Sequence, residues 1–142
     1  MILLDTDHFS IVSDSRDALH APLIARLNSA GDSLALPIVS VEEQLRGWLK
    51  LVHSGTNVAK QVFPYDRLAR LIETLAQWEL ARFGEPAAAD FVSLRKQRIR
   101  IGTQDLKIAA IAKVNDALLL SANLVDFEQV PGLRVEDWLH RK

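Results

Sequence analysis

Short apolar runs alternate with amphipathic segments along this chain. Residues 2–4, 34–39 and 117–121 are apolar runs, and a further short run lies near 133–135. Runs of this length with so few polar positions are typical of strands that are buried on both faces. Strands separated by helices imply a parallel sheet with helices on both sides. We therefore predict an α/β fold with a central parallel sheet of four or so short strands flanked by helices.

Helical patterns fill the intervals between these runs. Pro22 introduces one helix and Gly31 stops it, and Pro86 introduces another. An apolar stripe at helical spacing follows the second strand: Val41, Leu45, Trp48, Leu49 and Val52. The chain contains no internal repeat, low-complexity tract or linker, so we predict a single domain over residues 1–142.

Composition limits the kinds of site that the chain can build. It has no cysteine, which excludes disulfides, thiolate zinc sites and cysteine nucleophiles. No apolar stretch approaches the roughly 20 residues of a membrane span. Met1 leads directly into the first apolar run without a basic leader, so we expect a cytoplasmic protein with no membrane partner.

The charges are almost balanced, with 17 basic residues against 18 acidic ones and a net charge of −1. The overall charge therefore gives no sign of nucleic-acid binding. The densest basic run lies shortly before Asp105 and contains Arg95, Lys96, Arg98 and Arg100. A solvated helix end explains such a run, because its dipole favours cations there.

Acidic and amide side chains lie at the ends of several predicted elements. Asp5 closes the first strand, Glu42 and Glu43 open the helix after the second, Asp105 opens the helix before 117–121, and Asn123 and Asp126 follow that last strand. A parallel sheet brings the carboxyl ends of its strands to one edge, where such folds bind ligands. We therefore expect these side chains to converge.

Each of these residues also has a structural explanation. Asp7 could cap a short helix over residues 8–12, and Ser40 could cap the next helix with Glu43 as the partner in a capping box. Asp105 suits the first turn of a helix, and Asp126 could cap a turn. Several converging carboxylates would nevertheless repel one another, and a divalent cation relieves that repulsion. Oxygen ligands without cysteine predict Mg²⁺ or Mn²⁺, with one ion or with two about 3.5–4 Å apart.

The histidines and tryptophans show no spacing that points to catalysis. The four histidines, His8, His20, His53 and His140, are scattered and form no spaced pair. We interpret them as core or surface residues. Two of the tryptophans, Trp48 and Trp138, are interpreted as packing groups.

Four segments resemble the PIN-domain ribonucleases, and specifically the VapC-like toxins of bacterial toxin–antitoxin pairs. They are LLDTDHFS, VSVEEQLRG, RIRIGTQDLKIAAIA and LLLSANLVDFEQVPGLRVEDW, in the family's order and at suitable spacings. The resemblance implies a PIN-like fold, a magnesium site, and hydrolysis of RNA phosphodiester bonds to a 3′ hydroxyl and a 5′ phosphate. It also implies a cognate antitoxin and a homodimer.

The resemblance assigns roles to particular residues. Asp5 matches the family's first acid and Asp105 the acid that opens its later helix. The middle acid is followed four residues later by Gly, which fits Glu43 and Gly47, whereas the helical period keeps Glu42 as an alternative.

Other positions receive supporting roles. Asn123 stands where many PIN proteins have Asp, so Asp126 is a candidate helper for the metal. The residues expected to orient the acids are Thr6, Asp7, Ser40 and Glu42. The basic run Arg95, Lys96, Arg98 and Arg100 is expected to contact RNA phosphates.

Two other interpretations compete with a ribonuclease. An apolar strand followed by D-x-D also opens the haloacid dehalogenase phosphatases, but this chain has Phe9 where they have Thr or Val and lacks their later acidic motif. The second competitor is a catalytically inactive PIN-like binding module, which the neutral Asn123 leaves open.

Overall fold

The computed structural model describes residues 1–140. Five strands lie in this range: β1 (Ile2–Leu4), β2 (Leu34–Pro37), β3 (Leu80–Ala81), β4 (Leu118–Leu120) and β5 (Arg134–Glu136). The helices are α1 (Thr6–Val12), α2 (His20–Ala30), α3 (Ile38–Val52), α4 (Val58–Leu75), α5 (Glu85–Lys96), α6 (Thr103–Val114) and α7 (Leu124–Phe127).

The strands form one parallel sheet in the order β3-β2-β1-β4-β5. Leu3 of the central strand lies between Ala35 and Leu119 in register. This arrangement confirms the predicted α/β class and parallel sheet, with five strands where about four were expected. The additional strand is β3, which has two residues at the edge of the sheet and therefore no apolar run that a sequence pattern could reveal.

Alternate residues of the strands pack into two cores, one on each face of the sheet. Leu3, Ala35 and Leu119 belong to the core that includes the buried residues of α5 and α6. Ile2 and Leu4 belong to the opposite core, which includes α1 and α2. Burial on both faces explains why these strands are continuous apolar runs instead of alternating patterns.

Two of the predicted helix caps were wrong. Asp5, and not Asp7, caps α1, because its side chain accepts a hydrogen bond from the Thr6 amide. Helix α3 begins directly after Pro37, so Ser40 is a buried residue inside the helix and forms no capping box with Glu43. Pro37 has a φ of −61°, which suits both a strand end and a helix entry, so no loop separates them.

The first helical stop was predicted correctly. Gly31 follows α2 with a φ of +69°, a conformation that glycine adopts without the steric cost of a side chain. The apolar stripe of α3 was predicted only in part. Val41 and Val52 are buried, whereas Leu49 is exposed.

The parallel topology brings several connections to the carboxyl edge of the sheet. Asp5 follows β1, Ser121 follows β4, and α3 follows β2 there. Because α6 leads back to the amino end of β4, its first turn also lies at this edge. Within the described part of the chain, no helix combines the length and apolar character of a membrane span.

Candidate functional site

Both carboxylate oxygens of Asp5 accept hydrogen bonds at the carboxyl edge. Its Oδ1 accepts hydrogen bonds from the Thr6 amide at 2.8 Å and from Ser40 Oγ at 3.2 Å. Its Oδ2 accepts one from Ser121 Oγ at 3.0 Å. A carboxylate offers about four acceptor positions, so these donors leave room for one further partner. The orientation of the Asp5 carboxylate is therefore fixed by groups from three elements or their ends.

The pKa of Asp5 is nevertheless above its ordinary value. Burial is the main cause, and the nearby charge of Asp7 adds to it. The hydrogen bonds from Thr6, Ser121 and Ser40 act in the opposite direction but do not compensate fully. The surroundings of Asp5 therefore disfavour the charged form of its carboxyl group.

Glu43 and Asp105 share this property with Asp5. Partial burial raises the pKa of Glu43, and the charges of Asp5 and Asp105 raise it further. Burial also raises the pKa of Asp105, followed by the charges of Asp5 and Asp126. The three carboxylates, which are widely separated in the sequence, therefore lie close enough to repel one another.

Asn123 links two of the acids at this edge. Its Nδ2 donates to Asp105 Oδ2 at 3.3 Å and to Asp126 Oδ2 at 3.1 Å. The Asn123 backbone amide donates to Ser121 Oγ at 3.1 Å, and the same hydroxyl donates to Asp5. Asn123 and Ser121 thus connect Asp5 to the Asp105 side of the site.

Glu42 is oriented away from this cluster. Its carboxylate accepts hydrogen bonds from Gln104 and Arg46, and these bonds lower the pKa of Glu42. An opposite pKa shift in two adjacent glutamates shows that they have different surroundings. The charges of Asp5 and Asp105 act on Glu43 and not on Glu42. From the sequence we expected Glu42 to help orient the acids, but within residues 1–140 it makes no hydrogen bond to them.

Thr6 and Asp7 contact the site differently from one another. The Thr6 backbone bonds to Asp5, whereas its buried Oγ1 has no hydrogen-bond partner among residues 1–140. Asp7 bonds to His8 and to the Ala122 amide instead of to another acid. Burial alone would raise the pKa of Asp7, but these hydrogen bonds lower it.

The donor set fits a hard divalent cation. All candidate ligands are carboxylate or amide oxygens, and the mutual repulsion of Asp5, Glu43 and Asp105 is what a cation would relieve. Within residues 1–140, no three acidic or histidine side chains are already gathered closely enough to enclose an ion. Mg²⁺ does not require such a cage, because it is commonly held by one or two carboxylates with waters.

The basic run lies at the same edge of the sheet. Arg95 and Lys96 end α5, and residues 97–102 connect this helix to the start of α6, the helix that carries Asp105. Arg98 and Arg100 lie in that connection. All four side chains belong to exposed residues.

Sequence reasoning missed three residues that bond to predicted site residues, namely Ser121 to Asp5, Gln104 to Glu42 and His8 to Asp7. Ser121 could have been found, because it directly follows a buried strand, as Asp5 does. Gln104 contacts Glu42 across 62 positions of sequence, so no local pattern indicates it. His8 was interpreted as a core or surface residue, and it is fully buried.

Several known proteins are similar to this chain in sequence or in fold. Ribonuclease VapC2 of Haemophilus influenzae is 32% identical over 120 residues, which cover 82% of this chain and 84% of that protein. The structure of VapBC-1 from nontypeable Haemophilus influenzae superposes with a TM-score of 0.70 at 25% identity, covering 99% of this chain and all of the matched one. DNA-bound VapBC from Salmonella typhimurium gives a TM-score of 0.74 at 22% identity, over 96% and 97% of the two chains, and supports the fold. No protein-family model matches the chain.

Substitution of the two adjacent glutamates tests whether Glu43 is repelled by the other acids. Glu43→Gln should raise the free energy of unfolding of the metal-free protein at pH 7 by less than about 1 kcal/mol, because Glu43 is partly exposed and solvent screens its repulsion. Its pKa is higher in the folded state, so ionisation destabilises the fold as pH rises through that pKa. The gain should therefore disappear in acid, where the glutamate is protonated in both states. Urea unfolding at several pH values measures it.

Glu42→Gln is the matched control. Its pKa is lowered in the folded state, so loss of its charge should leave stability unchanged or reduce it at pH 7. Equal effects of the two substitutions would contradict the assignment of different surroundings to these residues.

Proposed function

Because the chain belongs to the VapC family, we propose that it is a magnesium-dependent endoribonuclease and the toxin of a toxin–antitoxin pair. One observation of the structure supports this proposal above the others. Asp5, Glu43 and Asp105 come from separate elements and mutually disfavour their ionisation. Packing of the core does not require these carboxylates to lie together, whereas a cation site requires converging oxygen ligands, and the cation would relieve their repulsion. The similar protein of Haemophilus influenzae is named a ribonuclease.

The carboxylates have separable roles in this proposal. Asp5 and Asp105 would hold Mg²⁺, or Mn²⁺ in its place, and Asn123 and Asp126, which are hydrogen-bonded to each other beside Asp105, would supply further oxygen ligands. When bound, the ion neutralises phosphate charge and lowers the pKa of water. Ser40 and Ser121 keep the Asp5 carboxylate in one orientation through its two oxygens.

Glu43 is the candidate general base. Its raised pKa makes its carboxylate a better proton acceptor than an ordinary glutamate. Glu43 accepts the proton of the attacking water, the water oxygen bonds to phosphorus, and the P–O3′ bond breaks. The departing O3′ takes up a proton from solvent water, so the products are a 5′ phosphate and a 3′ hydroxyl. A cytoplasmic location follows from the proposal, because RNA and its translation are found there.

Replacement of a metal ligand tests the activity. Asp105→Asn should lower the rate of RNA cleavage at least about a hundredfold, at the upper end of the losses typical when even an indirect metal partner is removed. Chelation of Mg²⁺ should abolish cleavage by the unchanged protein. Cleavage is measured on total RNA by mapping new 5′ phosphate ends, which also identifies the target.

Asp116→Asn is the control for this experiment. Asp116 is exposed in the turn before β4, at the opposite edge of the sheet, and its positive φ of 48° is one that Asn tolerates. It should cleave RNA at the unchanged rate. Full activity of Asp105→Asn, or full activity with chelator, would contradict the proposed site. No cleavage by the unchanged protein and no Mg²⁺ binding would favour an inactive binding module.

We also propose that the basic run contacts RNA phosphates beside the acids. Its place at the start of the Asp105 helix supports this role. The double substitution Lys96→Ala and Arg100→Ala should weaken RNA binding in chelator, and it should reduce the slope of log affinity against log salt by about 0.7 for each phosphate that the variant no longer neutralises. Fluorescence anisotropy between about 50 and 200 mM salt measures both quantities.

Arg134→Ala is the matched control for the basic run. Arg134 begins β5 at the amino edge and pairs with Asp116. Its removal should leave the salt slope unchanged. If both variants reduced the slope equally, RNA binding would not be specific to the basic run.

The antitoxin is the protein partner in this proposal. The similar Haemophilus structure is that of VapBC-1. An antitoxin segment bearing Arg could occupy the acidic site, because its guanidinium group can pair with the same carboxylates that would bind the metal ion. Such a segment should inhibit cleavage while it is bound.

A homodimer is also part of the proposal, and α4 carries the surface that supports it. Its exposed side includes an apolar stripe with spacings of four, three, four and three residues: Val58, Val62, Tyr65, Ala69 and Ile72. A stripe of this kind is typical of a helix that packs against another helix. A second copy of the same stripe provides a self-complementary partner.

Light scattering after gel filtration tests the dimer. Val62→Glu together with Ile72→Glu should convert a dimer into a monomer, because two charges would be buried without partners. Val92→Glu, on the exposed side of α5, is the control and should leave the mass unchanged. A dimer that persists with both α4 charges would exclude this stripe as the interface.

A further inference from the structure

His8 is fully buried and lies three residues after Asp5, yet it contacts none of the proposed metal ligands. A buried imidazole needs partners for both ring nitrogens, and those partners define what the ring does. The proposed metal site and its chemistry leave His8 without a role.

The hydrogen bonds of His8 fix its tautomer. The backbone amide of Trp138 donates to His8 Nε2 at 3.0 Å, so Nε2 is an acceptor and carries no proton. The proton of the neutral ring is therefore on Nδ1, which donates to Asp7 Oδ1 at 2.6 Å. The Trp138 amide, in the segment after β5, thus determines that the His8 proton is on Nδ1, the nitrogen that faces Asp7.

Asp7 transmits this arrangement to the loop after β4. Its Oδ1 also accepts from the His8 amide at 2.7 Å, and its Oδ2 accepts from the Ala122 amide at 2.9 Å. Ala122 stands between Ser121, which bonds to Asp5, and Asn123, which bonds to Asp105 and Asp126.

The three amides of that loop have three different acceptors. The Ser121 amide donates to the Glu136 carbonyl, the Ala122 amide to Asp7, and the Asn123 amide to Ser121 Oγ. Of these three bonds, only the one to Asp7 fastens the loop to α1, the helix that Asp5 caps.

We propose that Asp7 and His8 form a positioning pair that holds the Ser121–Asn123 loop against Asp5 and Asp105, with the Trp138 amide selecting the tautomer that permits it. Neither residue touches the reacting atoms. The expected effect on kcat rests on the ribonuclease function proposed above, whereas the expected effect on the structure of the loop, which we call the structural form of the proposal, does not.

Two substitutions at position 8 separate the two hydrogen bonds of the ring. The amide of Asn can place an N–H where Nδ1 lies, so His8→Asn can keep the bond to Asp7 and lose the acceptor for Trp138. The longer Gln can place an oxygen where Nε2 lies, so His8→Gln can keep the acceptor for Trp138 and lose the donor to Asp7. Gln is closer to His in size. If His8 served only in packing, His8→Gln would therefore impair the protein less than His8→Asn.

The kinetic test compares these variants at saturating RNA. His8→Gln should lower kcat by about 10–100-fold, the loss typical when a group behind a metal ligand is removed, with little change in KM. His8→Asn should keep kcat within about threefold of the unchanged protein even where thermal unfolding shows that it is less stable. Equal kcat values for the two variants, or values that follow their stability, would overturn the proposal.

His20→Gln is the matched control. His20 lies on α2, and its Nδ1 bonds to the Ile11 carbonyl at 2.9 Å, so the substitution also removes a histidine hydrogen bond from this layer. It should leave kcat unchanged. A loss of kcat equal to that of His8→Gln would show a general effect of destabilisation and would overturn the proposal.

Amide hydrogen exchange in metal-free protein tests the structural form without catalysis. Exchange at Ala122 should be at least about tenfold faster in His8→Gln than in His8→Asn, while the amides of β4 exchange alike in both. Unchanged exchange at Ala122 in His8→Gln would overturn the positioning role. If the unchanged protein cleaves no RNA, the proposed function fails, and the exchange rates still decide the role of His8.

Discussion

Repulsion between carboxylates at one edge of a parallel sheet is the constraint around which this structure is built. Burial raises the pKa values of Asp5, Glu43 and Asp105, the charges of Asp5 and Asp105 raise that of Glu43 further, and the charge of Asp5 raises that of Asp105. The two cores on either side of the sheet must oppose this repulsion. Their burial of apolar surface is the dominant stabilising contribution available to a domain of this size. A destabilised site within a stable frame is the usual arrangement where function and stability conflict.

The positions of the site residues are set where strands pass directly into helices. Asp5 follows β1 and caps α1, so its carboxylate cannot turn away without loss of the capping hydrogen bond from the Thr6 amide. Because Pro37 passes directly into α3, Ser40 lies inside the first turn and faces Asp5 instead of capping the helix. The direct connection from β2 to α3 therefore places Ser40, a residue type typical of helix caps, where it donates a hydrogen bond to Asp5.

The sequence predicted what depends on local pattern and on the general rules of parallel sheets. Apolar runs indicated four strands, and the rule that carboxyl ends share an edge indicated that Asp5, Glu43 and Asp105 would meet. The pattern could not reveal β3, whose two residues have no periodicity. Nor could it reveal the hydrogen bond from the Trp138 amide to His8, because the two residues lie 130 positions apart in the chain.

Asn123 shows how a departure from the expected pattern can suit the electrostatics of a site. An aspartate at this position would add another negative charge to a cluster that already contains Asp105 and Asp126. The amide instead donates an N–H to each of those carboxylates, and its bond to Asp105 lowers the pKa of that acid against the effect of burial. Its oxygen is still of the kind that hard cations accept. Asn123 therefore moderates the repulsion between these carboxylates in the metal-free site, because it donates to them where an aspartate would add a further charge.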